Sequence, residues 1–214
     1  RVPAIVADKL RNGGIVTFAS AAALTLGRST VPVYEVYKVG ADVTVLDGLD
    51  LLGVIGIDAA VIPHYDNAEG GHHDTRFCYL GERRLRILES MLPDDVHVLG
   101  IDEHTGIVID LDTESVSVVG NGTITVRVKG ESIVHPTGSE LHLDDLRAPK
   151  AGRSGSAARP LAPATITTTC SAWAMTAPTR AARRRGVRRF ESSQLQLSIG
   201  VLQQCWFMHS SPMG

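Results

Sequence analysis

The sequence predicts an α/β protein in which a partial parallel sheet is flanked by helices, with an antiparallel hairpin near residues 106–128. Three observations predict it. Over residues 2–27 a helical pattern, a run of apolar β-branched residues and a string of alanines follow one another, the helix, strand, helix order of parallel sheets. Two short apolar runs, Ala59–Pro63 and Val96–Ile101, stand on either side of an amphipathic stretch, Tyr79–Met91. Further on, two β-rich segments bracket Gly120-Asn121-Gly122, a strong turn signal.

In order, Val2–Asn12 reads as a helix closed by Gly13-Gly14, because residues able to take the left-handed conformation end helices well. Ile15–Ala19 reads as a buried strand and Ala21–Gly27 as a helical turn or two, since Ile, Val and Phe favour strand and alanine favours helix. Ser20 falls at the corner between them. Shorter segments at 30–39, 43–46 and 48–53 follow. Ala59–Pro63 reads as an apolar strand that stops at His64, and the polar, glycine-rich stretch 65–76 as a loop. Leu80, Leu85, Ile87, Leu88 and Met91 among charged residues make Tyr79–Met91 a helix with one apolar face, closed by Pro93. Val96–Ile101 is a second buried strand, running into Asp102-Glu103-His104-Thr105. Gly106–Leu111 continues as strand, and 116–119 and 123–128 read as two hairpin arms about Asn121-Gly122. Asn121-Gly122-Thr123 also matches a glycosylation acceptor; without a secretory signal the hairpin reading is preferred.

A chain of 214 residues, 43% hydrophobic, can bury a real core. It has no apolar run of about eighteen residues, and its first residues lack the regions of a signal peptide, which points to a cytoplasmic protein without a membrane partner. Cys78, Cys170 and Cys205 share no CxxC spacing, which argues against a disulfide framework or a zinc knuckle. Charge is unevenly divided. Residues 1–147 hold 12 of the 21 Lys and Arg and 22 of the 23 Asp and Glu, whereas 148–214 hold 9 basic residues and 1 acidic. The second segment opens with a linker composition and continues to Arg183-Arg184-Arg185-Gly186-Val187-Arg188-Arg189. It is read as a disordered or aberrant tail of the kind a shifted reading frame would give, with one short element around Leu195–Leu202. A basic tail could contact nucleic acid, but no aromatic residues interleave with the arginines as stacking partners, so that partner is disfavoured.

The chemistry concentrates at a few positions. A serine at a strand-to-helix corner is raised above the sheet edge, and the next backbone N–H groups point at any oxyanion that forms there. Small neighbours, Ala19 and Ala21, suit a tight elbow. The competing reading is that Ser20 only caps the alanine helix. An alcohol needs a base within hydrogen-bond reach, and His64, at the end of an apolar strand, lies where open α/β sheets place their sites. A histidine there could equally cap the strand. Glu35, Asp42, Asp47 and Asp50 compete for the role of the acid that orients the base. His64, Asp66, His72, His73 and Asp74 form a second constellation that could ligate a divalent ion and activate water, although the spacing matches no helical HExxH pattern.

The succession of the Ser20 elbow, Tyr34-Glu35-Val36-Tyr37-Lys38, Gly48-Leu49-Asp50-Leu51-Leu52, Pro63-His64-Tyr65-Asp66 and Gly100-Ile101-Asp102-Glu103-His104-Thr105 resembles the peptidase E and cyanophycinase family of serine peptidases, over roughly residues 1–130. The resemblance implies a class I glutamine amidotransferase-like fold, with residues 1–147 as its C-terminal part and an upstream portion missing. It implies amide or peptide bond hydrolysis with Ser20 as nucleophile, His64 as general base, Glu35 as the orienting acid and the Ala21 N–H as an oxyanion donor. Asp102 and Glu103 are expected to support the site or its loop. No metal or other cofactor is implied; a peptide or small amide is the implied substrate, and association of copies is expected if sheet edges are exposed. Where the family usually has glycine in the elbow, this chain has Ala22. The alternative is a catalytically inactive fragment or interaction module.

Overall fold

The computed structural model describes residues 2–147 and 195–200, which belong to one compact unit. The protein is mixed α/β. In chain order come α1 (Val2–Asn12), β1 (Gly14–Ala19), α2 (Ala21–Leu24), β2 (Ser29–Thr30), β3 (Leu46–Asp47), β4 (Ala59–Pro63), α3 (Gly81–Met91), β5 (His97–Ile101), β6 (Thr105–Asp110), β7 (Ser115–Gly120), β8 (Thr123–Val128), β9 (Glu131–Pro136), β10 (Glu140–His142) and β11 (Leu195–Gly200). A π-helical turn spans Glu35–Val39.

Two sheets pack face to face. One has the order β3, β2, β4, β5, β8, β9, with β2, β4 and β5 parallel; the other has the order β1, β11, β6, β7, β10. Alternation along the strands explains the layers, because successive side chains of a strand point to opposite faces. Ala59, Val61, Leu99, Ile101, Ile124 and Val126 face inward and join Ile107, Ile109, Val116, Val118, Leu197 and Ile199 of the other sheet in one core, which α1 closes with Ala7 and Leu10. The interleaved residues Ile62 and Val98 face the other way and pack with Leu85 and Leu88 of α3 in a second core. On that same face the buried Arg127 donates to Glu82 and Glu89 of α3, both at 2.9 Å, so the helix is held by charge as well as by its apolar stripe.

Two expectations change. β1 is the edge strand of its sheet and alternates exposed with partly covered residues, Ile15 being 61% exposed, rather than being buried throughout. The segments around Asn121-Gly122 do not form a hairpin: β7 pairs with β6 and β10, β8 with β5 and β9, and the turn carries the chain from one sheet to the other. The hairpins are β6 with β7 and β8 with β9. Gly120 has φ +114°, and a Cβ there would collide with the His104 carbonyl, so its glycine serves the crossing between sheets. The short element expected around Leu195–Leu202 is a strand, Leu195–Gly200, between β1 and β6, parallel to the first and antiparallel to the second. The remainder of 148–214, with its basic run, lies outside the described residues.

Candidate active site

The site stands where the chain leaves β1, β4 and β5. At the end of β1, Ser20 takes φ 48° and ψ −120°, the conformation of the first central residue of a type II′ turn and one that normally calls for glycine. Such a backbone costs on the order of 1–3 kcal/mol and is held by its surroundings. Ser20 occupies the N-cap position of α2 but makes no capping bond with its side chain. Its hydroxyl instead meets His64 Nε2 at 3.0 Å. The capping reading of Ser20 therefore fails.

His64 follows the last residue of β4. Its backbone is left-handed, φ 51°, and its carbonyl accepts from Cys78 N at 3.0 Å and Asn67 N at 3.3 Å. The ring stands largely shielded, its side chain 19% exposed, and Nδ1 lies 3.0 Å from Glu103 Oε1. An ionised carboxylate only accepts, which puts the ring proton on Nδ1 and leaves Nε2 free to accept the Ser20 hydroxyl proton. Ser20, His64 and Glu103 thus form one hydrogen-bonded chain.

Glu103 stands where Glu35 was expected. Glu35 begins the π-helical turn and is exposed, and His64 has Glu103, not Glu35, at its second nitrogen. The pairing of β4 with β5 explains this. The two strands run parallel with Pro63 opposite Ile101, so the residues immediately beyond each strand emerge side by side at the same sheet edge. The signal was present in the sequence as two apolar strands that each end in titratable residues; only the pairing was not.

Asp102, expected beside the site, follows the last residue of β5. Its Oδ2 accepts from both the N–H and the hydroxyl of Thr123 at 2.8 Å, fastening β5 to β8, and burial raises its pKa. Ala21, directly after Ser20, is the first residue of α2. Cys78, next to this site, is buried and its thiol is pushed up to about 12 by desolvation, so it is not a competing nucleophile.

The loop between β4 and α3 does not assemble a metal centre. His72 and His73 are exposed, His64 is engaged as above, and Asp74 accepts from Arg76 at 2.8 and 2.9 Å while its Oδ2 accepts from Glu82 N at the start of α3. The Arg76 guanidinium holds the Asp74 carboxyl well below the usual carboxylate range. Among the described residues no three His, Cys, Asp or Glu side chains gather as ligands. No helix among them is long and apolar enough to cross a membrane.

No family model matches the sequence, and no curated protein matches it significantly. Among solved structures, the chain is similar to the crystal structure of a peptidase from an acI-B1 actinobacterium, with 20% identity and a TM-score of 0.39. The match covers 57% of this chain and 43% of that one, so the chain spans less than half the length of that peptidase.

Proposed function

We propose that the protein is a serine hydrolase that cleaves an amide or peptide bond through Ser20, His64 and Glu103. One observation carries the reading: Ser20 Oγ, the two nitrogens of His64 and Glu103 Oε1 lie in a continuous hydrogen-bonded line, each link 3.0 Å long, with the serine on a strained turn between strand and helix. The resemblance of the elbow, Pro63-His64 and Gly100-Ile101-Asp102-Glu103 to the peptidase E and cyanophycinase family supports the same chemistry, with Glu103 in place of Glu35 as the acid.

In this mechanism Ser20 Oγ attacks the carbonyl carbon while His64 Nε2 takes the hydroxyl proton. Glu103 holds the ring by its Nδ1–H and stabilises the imidazolium as it forms. Charge on the carbonyl oxygen is met by the Ala21 N–H. Collapse breaks the C–N bond, and His64 returns its proton to the leaving amine. Water then attacks the acyl-serine, again giving its proton to His64, and the carboxylic acid leaves with the serine restored.

A fluorophosphonate that reacts with activated serines tests the reading. Labelling mapped to Ser20, and lost in a folded Ser20→Ala protein, supports it. Folded wild-type protein that takes up no label overturns it and leaves an interaction module as the better account.

A further inference from the structure

The Glu103 side chain reaches His64 from a loop residue, and loop residues do not aim a carboxylate unless something fixes their backbone. Two side chains fix this one. Asp66 Oδ1 accepts from Glu103 N at 2.7 Å, and the Thr105 hydroxyl donates to Glu103 O at 3.0 Å while accepting from Gly122 N at 2.8 Å. Thus the peptide units on both sides of Glu103 are held, one from the loop after β4 and the other through the crossing between β7 and β8. Gly122 is needed for the second hold: a Cβ there would come within 2.8 Å of Thr105 Oγ1 and 2.7 Å of Asp102 Cβ.

Asp66 lies two residues beyond His64 on the same loop. Its carboxylate is exposed, and in the described residues its bond to Glu103 N is the short, charge-assisted contact joining the two loops at that point. An acid that must sit within hydrogen-bond distance of a ring nitrogen needs its backbone fixed. We infer that Asp66 is a positioning residue for the reaction, which sets the geometry between His64 and Glu103 by locking the Glu103 backbone to the loop that carries His64. Asp66 acts through Glu103, whose backbone N–H it holds. The inference rests on the serine hydrolase reading.

The test compares Asp66→Ala, which removes the acceptor, with Asp66→Asn, whose side-chain carbonyl still accepts. The rate of fluorophosphonate capture at Ser20 is expected to fall roughly tenfold to a hundredfold in Asp66→Ala, the scale on which misplacement of about 1 Å acts. Asp66→Asn is expected to recover most of that loss. In a Glu103→Gln background, Asp66→Ala is expected to add little, because the group it positions is already disabled. Equal rates for wild type and Asp66→Ala overturn the inference, as does a full further loss in the Glu103→Gln background.

The Glu103 amide proton gives a readout that does not depend on activity. In wild type and in Ser20→Ala it should resonate downfield and exchange slowly with solvent, and in Asp66→Ala it should do neither. An amide unaffected by Asp66→Ala overturns the inference even in an active protein. If no label is captured at all, the hydrolase reading falls by itself, and the amide measurement still decides whether Asp66 holds Glu103. Matching circular dichroism spectra and urea midpoints exclude a folding defect as the cause of any loss.

Discussion

His64 and Glu103 come from neighbouring parallel strands, and Pro63 paired with Ile101 is what brings the imidazole and the carboxylate to 3.0 Å.

Glu103→Gln should lower kcat by roughly a thousandfold to ten-thousandfold, because an amide in place of the carboxylate no longer fixes the proton on Nδ1 or stabilises the imidazolium. Glu35→Gln should leave kcat unchanged. Both variants are measured in the proposed reaction, on an amide substrate; a loss in Glu35→Gln with none in Glu103→Gln would return the acid role to Glu35.

Ser20→Gly should abolish labelling and yet raise stability by about 1 kcal/mol relative to Ser20→Ala, since glycine adopts φ 48° and ψ −120° without a Cβ penalty. Urea denaturation of the two variants measures the difference. Equal midpoints would mean that the elbow stores no strain.

His97 is buried at the start of β5, with neither ring nitrogen bonded, and desolvation pushes its pKa down to about 4, a nearby Asp58 opposing. The unfolded chain binds its proton near the ordinary value of about 6.5 and the folded chain near 4. Stability is therefore present above pH 6.5 and is lost as pH falls from there to 4, by up to about 3 kcal/mol. Urea midpoints across that range should fall for wild type and fall less for His97→Leu.

Arg127→Leu should destabilise the fold by about 3 kcal/mol, because it strands the Glu82 and Glu89 carboxylates against the buried face of the sheet. Arg127 is the leading cause that draws Glu82 down to about 2. Replacing all three side chains by apolar ones of similar volume should restore much of the loss, as read by thermal unfolding.

The elements that local pattern determines were legible in the sequence. Val2–Asn12, Ala59–Pro63 and Val96–Ile101 are close to α1, β4 and β5, because capping glycines and uninterrupted apolar runs act over a few residues. The places of Ser20 and His64 in the fold were legible for the same reason, each standing at the end of such a run. The carboxylate that meets the His64 ring was not. Glu35 stands between Tyr34 and Tyr37, which are 59% and 41% exposed, and what brings Glu103 to His64 is a strand pairing that no local pattern encodes. Asn121-Gly122 misled in a related way, since a tight turn between two strands looks the same whether they then pair or part into two sheets. In Leu195–Gly200, alternating apolar residues were visible, but the basic composition preceding them concealed that Leu197 and Ile199 fill the core.

The placement of β11 gives the strand that ends at Ser20 an unusual dependence in time. Gly14 aligns with Leu195 and Ala19 with Gly200, partners separated by nearly the whole sequence, so closing that loop carries an entropic cost that local contacts cannot offset early. On a ribosome, β1 would wait for β11, its one neighbour among the described strands, until every other described strand had already been synthesised. Competence for phosphonate capture should accordingly emerge in the slowest refolding phase, well after α3 has docked on β4 and β5.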